Sequence, residues 1–266
     1  MTYSPRPPSL LSRVPWWLLA VGLLFVLGAW SIAGNITYSQ IFRSLQAGIV
    51  TTLWVTAIAF SAATILGLLV ALARTSGNRL LRELATFYVE IIRGIPVLVF
   101  LFYVAFVGAP AIVAAADWMV QPLGGNVTIR QFDLAWRAVV ALTICYSAFI
   151  AEIFRAGIEA VERGQLEAAR SLGLSRFKCF RLVVFPQALR TILPPLGNDF
   201  VSMIKDSALV SALGVQDITQ LGKVYSSGTF LFFETYNVVA FLYLTMTISL
   251  SLLVRLLERH LRENRS

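Results

Sequence analysis

Four polar residues stand close together where the chain is otherwise apolar: Asn198, Asp199, Lys205 and Asp206. An ionisable side chain at the centre of a membrane helix costs about 2.5–3.5 kcal/mol on insertion scales, so each needs a partner or water. Adjacent residues diverge by about 100° around a helix, so Lys205 and Asp206 do not pair on one face. Two chemistries fit. The four residues line a polar path for a zwitterionic solute, or they join an ion-pair network that ties helices together. Glu90, Arg93, Glu152, Arg155 and Asp199 are the available partners. Glu90–Arg93 and Glu152–Arg155 are each spaced i,i+3 near the end of an apolar run, which suits helix-locking ion pairs. Thr143 and Ser147, four apart, read as interhelical hydrogen-bonding groups. Pro194, Pro195 and Gly197 are expected either to break the local helix and free carbonyls for a cavity, or to kink it.

Catalysis has no candidate site. His260 is the single histidine and falls in the terminal tail, so no Ser/His/Asp or Cys/His set can be assembled. Cys145 and Cys179 have neither metal spacing nor a disulfide framework. Gly222-Lys223 lacks the first glycine of a phosphate-cradling loop, where Asp217 stands, and Val224 follows. The chain is expected to hydrolyse no ATP and to hold no metal or cofactor.

The elements that must position these residues are membrane helices. Of 266 residues, 58% are hydrophobic and only 14% charged, against roughly a quarter charged in soluble domains. Charge-free runs at Trp16 to Ala33 and Ser44 to Ala73 are long enough to cross a bilayer. Gly94 to Ala116 is a third run, with its helix expected to start near Ala85. Ala138 to Ala151 spans when extended to Arg137 and Arg155, and Thr235 to Val254 is the last clear span. The polar stretch from Gln187 to Gly214 is a weaker sixth. The fold class is an all-α, polytopic membrane helix bundle of about six transmembrane helices. Residues 1–40 form a basic head and a helix; residues 44–261 form the main transmembrane domain, including a polar loop at 156–186.

Arg6 and Arg13 precede an apolar run ending Ser31-Ile32-Ala33, which also resembles a leader-cleavage site. The run is longer than a usual signal core, so a retained anchor is the preferred reading. The net charge of +8 is unevenly placed. Arg74, Arg79, Arg82, Arg155, Arg163, Arg170, Arg176, Lys178, Arg181 and Arg190 fall on one side, while Arg43, Arg130, Arg137 and Lys223 fall on the other. Basic loops stay in the cytoplasm, which puts both termini and the 156–186 loop there. The charge therefore orients the chain in the bilayer and implies no nucleic acid.

The loop reads as two short helices. Arg163 to Leu172 places Leu166, Ala169 and Leu172 near one face. Gly173 ends that helix in a left-handed conformation. Ser175 caps a second helix in which Phe177, Phe180 and Val184 share a stripe, and Pro186 is expected to interrupt before the next span. Ala168 and Ala169 leave room for a partner's surface. Burying Phe177 and Leu172 in a groove would contribute about 1.5–3 kcal/mol each. An ordinary interfacial loop touching lipid headgroups fits the same pattern.

The spacing Glu167-Ala168-Ala169, Gly173, then Val183-Val184-Phe185-Pro186 resembles the signature loop of permease subunits in ATP-binding-cassette importers. The family's usual Ile-x-Leu-Pro stands here as Val183-Val184-Phe185-Pro186. Val89 to Pro96, Ala148 to Gly157, Pro186 to Arg190, Leu193 to Asn198 and Lys205 to Leu209 extend the likeness to the polar amino acid subfamily, although Ser207-Ala208 replaces its more frequent Thr-Ser. The resemblance covers about Ser44 to Leu261. It implies that Glu167, Ala168, Ala169, Gly173, Phe177 and Pro186 belong to a coupling helix that fits cytoplasmic ATPase subunits, which bind the ATP. It further implies an outer substrate-binding protein, a second permease subunit (identical or paralogous), and residence in the cell (inner) membrane. The family commonly has five spans, so the helix at 16–33 is an addition. The rival reading is a stand-alone secondary transporter or channel relaying ions through its intramembrane charges; the inverted repeats common in such proteins are not visible. A membrane scaffold that recruits a soluble partner is the third reading.

Overall fold

The computed structural model describes residues 16–263, apart from Gly124 and Val127. Residues 1–15, with Arg6 and Arg13, and the side chain of His260 lie outside the described residues. The regular structure of the described residues is helical: α1 (Trp16–Gly34), α2 (Ile36–Arg74), α3 (Arg79–Gly94), α4 (Val97–Tyr103), α5 (Ala109–Val120), α6 (Leu134–Glu159), α7 (Arg163–Ser171), α8 (Arg176–Cys179), α9 (Phe185–Asp206), α10 (Ile218–Thr229) and α11 (Phe232–Glu263). A π-helical turn at Val104–Gly108 joins α4 to α5, and another at Phe180–Val184 joins α8 to α9. Among the described residues, five stretches are long and apolar enough to cross a membrane: Trp16–Gly34, Ile36–Arg74, Val97–Val120, Leu134–Glu159 and Phe232–Leu257. The expected sixth, α9, is a 22-residue helix packed against α6 and α11.

The bundle is organised by α2 and α6. α2 runs 39 residues, about 58 Å at 1.5 Å per residue. Asn35 starts it by accepting the Thr37 N–H at 2.9 Å, and Thr75 ends it by returning its N–H to the Ala71 carbonyl. Ala59, Ala63, Gly67 and Ala71 recur every fourth residue along one buried stripe. α6 answers with buried Ala138, Ala141, Leu142, Cys145, Ala148 and Ala151. Lipid tails are as apolar as a leucine, so membrane helices associate through close packing, which small residues permit. A Cβ added at Gly67 would lie 2.9 Å from the Ser147 carbonyl oxygen and 2.8 Å from Ile150 Cγ2. Gly67→Val is therefore expected to force the two helices apart and to lower stability by about 1–3 kcal/mol, read as an earlier thermal unfolding of the purified protein in detergent.

Three sequence expectations change here. The third span does not start near Ala85. Pro96 holds Ile95 extended (φ −102, ψ 131), so α3 ends at Gly94 and the span begins afresh at Val97. Glu90 and Arg93 thus close α3 rather than open a span. Pro194 and Pro195 do not break α9, which runs through both. Their missing N–H groups leave the carbonyls of Arg190 and Thr191 without the usual helical bond, yet packing on two sides holds the helix. Pro186 does not interrupt either. It is the second residue of α9, where a missing N–H is tolerated, and the π turn before it lets the Phe185 N–H reach the Phe180 carbonyl.

Candidate coupling hairpin, ion cluster and polar path

The loop between α6 and α9 folds as a tight helical hairpin. α7 ends in a glycine cap: Gly173 sits at φ +77, the Leu174 N–H reaches back to the Ala169 carbonyl (3.2 Å) and the Gly173 N–H to the Arg170 carbonyl (2.9 Å). These two bonds define the Schellman motif, which satisfies carbonyls that the helix end would otherwise leave open. Ser175 starts the return, its hydroxyl accepting the Lys178 N–H at 3.4 Å. Gln187 on α9 donates to Gln165 on α7 at 2.6 Å, which fixes the hairpin's angle to the span. Buried Ala169 and Cys179 form the hairpin's interior. Ala169 thus faces inward rather than toward a partner, while Glu167, Ala168, Leu172 (82% exposed) and Phe177 (69% exposed) face out. The expected grouping of Leu172 with Leu166 and Ala169 fails, because the capping turn swings Leu172 outward. Among the described residues, Leu172 and Phe177 are large apolar side chains left exposed on a short polar element.

An ion cluster lies just before the hairpin. The Glu152 carboxylate receives Arg74 from the end of α2, Arg93 from α3 (3.5 Å), and Arg155 from its own helix through both Nε and Nη2 (2.9 and 2.7 Å). Arg155 also donates to Glu159 at 2.6 Å, four residues before α7 begins. Arg93 further stacks over the Phe149 ring at 5.6 Å. The Glu152–Arg155 pair is therefore present, but the expected Glu90–Arg93 pair is not. Arg93 turns to Glu152, and Glu90 is exposed apart from the cluster. Arg74 was missed by sequence reasoning. Its only signal was its place at the close of a long charge-free run. Tyr88 adds an uncharged tie between α3 and α6, with its hydroxyl 2.7 Å from Ser147 Oγ and donating to the Ile144 carbonyl at 3.1 Å. Thr143 reaches the Ala59 carbonyl of α2 at 3.4 Å.

The four polar residues of α9 divide into two pairs. Asp199 and Asp206 are seven apart and share a face; Asn198 and Lys205 share the neighbouring one. Asp206 accepts the Tyr146 hydroxyl at 2.7 Å. Asp199 has a buried oxygen with no protein partner. Asn198 and Lys205 are exposed on the isolated chain. None of the four meets the Glu152 cluster, so that source of partners is ruled out. Tyr146 was the missed residue, although a tyrosine inside an apolar span must find a partner for its hydroxyl. At the end of the bundle away from the hairpin, Asp217 caps α10 through the Gln220 N–H (2.8 Å) and accepts the Tyr243 hydroxyl (3.1 Å). Burial pushes the Asp217 carboxyl above its ordinary range, and those bonds pull it part of the way back.

The described residues thus form a bundle of membrane-length helices carrying an apolar-tipped polar hairpin. The chain belongs to the family described as binding-protein-dependent transport system inner membrane component, whose sequence pattern matches residues 63–263. It is 37% identical over 223 residues to the probable glutamine ABC transporter permease protein GlnM of Bacillus subtilis, covering 84% of this chain and 95% of that one. It is 35% identical over 211 residues to the glutamine transport system permease protein GlnP of Escherichia coli K12, covering 79% and 90%. The crystal structure of an amino acid ABC transporter with histidines superposes with a TM-score of 0.70 at 37% identity, over 86% of this chain and 98% of that one. The protein is thus an inner-membrane, multi-pass permease subunit of an ABC importer for polar amino acids. ATP hydrolysis lies in partner subunits, and a binding protein supplies the solute.

Proposed function

We propose that the chain forms one half of a translocation path shared with a second permease subunit, a copy of itself or a paralogue, and that it carries glutamine or a similar neutral polar amino acid. The hairpin supports the mechanical part of this reading. Glu167, Ala168, Gly173 and Phe177 meet the ATPase subunit, while Ala169 and Pro186 keep the hairpin's shape and its join to α9. The distribution of basic residues supports a cytoplasmic position for the hairpin and both termini. Residues 44–261 then act as the transport body and residues 1–40 as an addition to it. When the ATPase subunits close on ATP, the hairpins are driven together and the helices rock between inward-open and outward-open arrangements.

α9 supports the solute path. The unpaired oxygen of Asp199 and the exposed Lys205 offer opposite charges to the ammonium and carboxylate of an amino acid. Asp206, held by Tyr146, orients the end of the helix. Glutamine is favoured because similar permeases carry that name. The test is reconstitution of the permease with its ATPase subunits in vesicles, adding the outer receptor loaded with glutamine. Receptor-stimulated ATP hydrolysis and ATP-dependent glutamine uptake are the expected results. Uptake driven by an ion gradient without nucleotide would overturn the reading in favour of a secondary transporter.

A further inference from the structure

The family's pattern begins at residue 63, so α1 lies outside it. α1 has no buried residue and leans on α11 and α2. Its close contact with α11 centres on one point. A Cβ added at Gly28 would fall 2.4 Å from the Phe241 ring, and the Phe25 and Phe241 rings lie 5.5 Å apart. The two helices part on either side of that point. Toward the hairpin end they enclose a groove of about 280 Å³ lined by Trp17, Val21, Gly22, Phe25, Ile248 and Leu252 among others. At its mouth, Arg255 holds its guanidinium 5.2 Å from the Trp17 ring centroid.

We infer that this groove is a binding site for an anionic phospholipid, with an acyl chain along the groove and the headgroup phosphate on Arg255. The groove runs between two membrane spans and is lined by apolar side chains apart from Thr245, whose hydroxyl donates to the Phe241 carbonyl, and Ser249, so a hydrocarbon chain is its matching occupant. A tryptophan and an arginine at one end reproduce the pairing that marks a membrane–water interface. Arginine's flat fork suits a phosphate oxygen pair, and its charge selects anionic over zwitterionic headgroups.

Two substitutions separate the parts of the site. Gly22 lines the groove and nothing lies within 4 Å of a Cβ placed on it, so Gly22→Phe is expected to fill the groove, with an unchanged thermal unfolding checking that the fold is kept. Arg255→Gln removes the headgroup contact and leaves the groove open. The measurement is native mass spectrometry of the intact importer, titrated with phosphatidylglycerol and phosphatidylcholine. The wild type is expected to retain phosphatidylglycerol preferentially. Gly22→Phe is expected to lose the tightly held lipid of either kind. Arg255→Gln is expected to keep a lipid but to lose about five-fold in preference for the anionic one, equivalent to the roughly 1 kcal/mol of one basic residue at an anionic surface. Equal retention of both lipids by the wild type, or unchanged retention in Gly22→Phe, would overturn the inference. So would lipid-independent disulfide formation between Trp17→Cys copies, which would make the groove a contact between protomers.

Discussion

Glu152→Ala is expected to abolish uptake and to lower the stability of the purified permease by about 3–5 kcal/mol, the cost of removing one partner from a largely buried ion pair. The size of the effect follows from Arg74. Its side chain is only 12% exposed and its carboxylate partner is Glu152. Without that carboxylate, the mostly buried Arg74 loses its ion-pair partner at the end of α2, while Arg155 keeps Glu159. Arg93 is 43% exposed and well screened, so Arg93→Ala is expected to stay within about 1 kcal/mol of the wild type. Thermal unfolding of the single variants and of the Arg74→Ala/Glu152→Ala pair checks this. The double variant should be less damaged than the sum of the two singles, because the second change removes the charge that the first stranded. Strict additivity would show that the two residues do not act as a pair.

Gly173→Phe is expected to eliminate uptake and receptor-stimulated ATP hydrolysis while leaving insertion and folding nearly intact. Two effects coincide at this position. The backbone is left-handed (φ +77), which costs an L-residue about 1–2 kcal/mol. Nothing lies within 4 Å of a Cβ placed there on the isolated chain, so a side chain has room to leave the backbone and its bulk is expected to obstruct a docked partner. Gly173→Asn isolates the first effect, since asparagine tolerates the left-handed region and adds less bulk. It is expected to keep most activity. If Gly173→Phe transports at the wild-type rate, the hairpin tip does not enter an ATPase groove.

The spans were legible because a charge-free run of twenty residues has few other uses. The hairpin was legible because its punctuation is local: Gly173 and Ser175 act on neighbours a few residues away. The helix-breaking expectations failed for different reasons. Pro194 and Pro195 lie inside α9 where packing on two sides holds the helix, Pro186 falls in its first turn where a missing N–H is tolerated, and only Pro96 kept its effect, holding Ile95 extended. The ion cluster was only half legible. Arg155 meets Glu152 within one helix turn, but Arg74 comes from 78 residues away, and no local pattern encodes that meeting. The stripe of Ala59, Ala63, Gly67 and Ala71 is plain at its four-residue spacing, yet it does not name α6 as the helix it receives. For the α9 charges, sequence gave the residues and their helical phase; the pairing of Asp206 with Tyr146 required the fold.

The length of α2 has a mechanical consequence. Near its start, Leu45 packs with Ile218 beside the cap of α10; at its far end Arg74 grips Glu152 beside the hairpin. A single unbroken rod about twice the thickness of the hydrocarbon layer therefore ties the α10 cap to the ion cluster beside the hairpin. With no break between Ile36 and Arg74, the helix has no hinge along it, and a displacement at one end is carried to the other rather than absorbed between them.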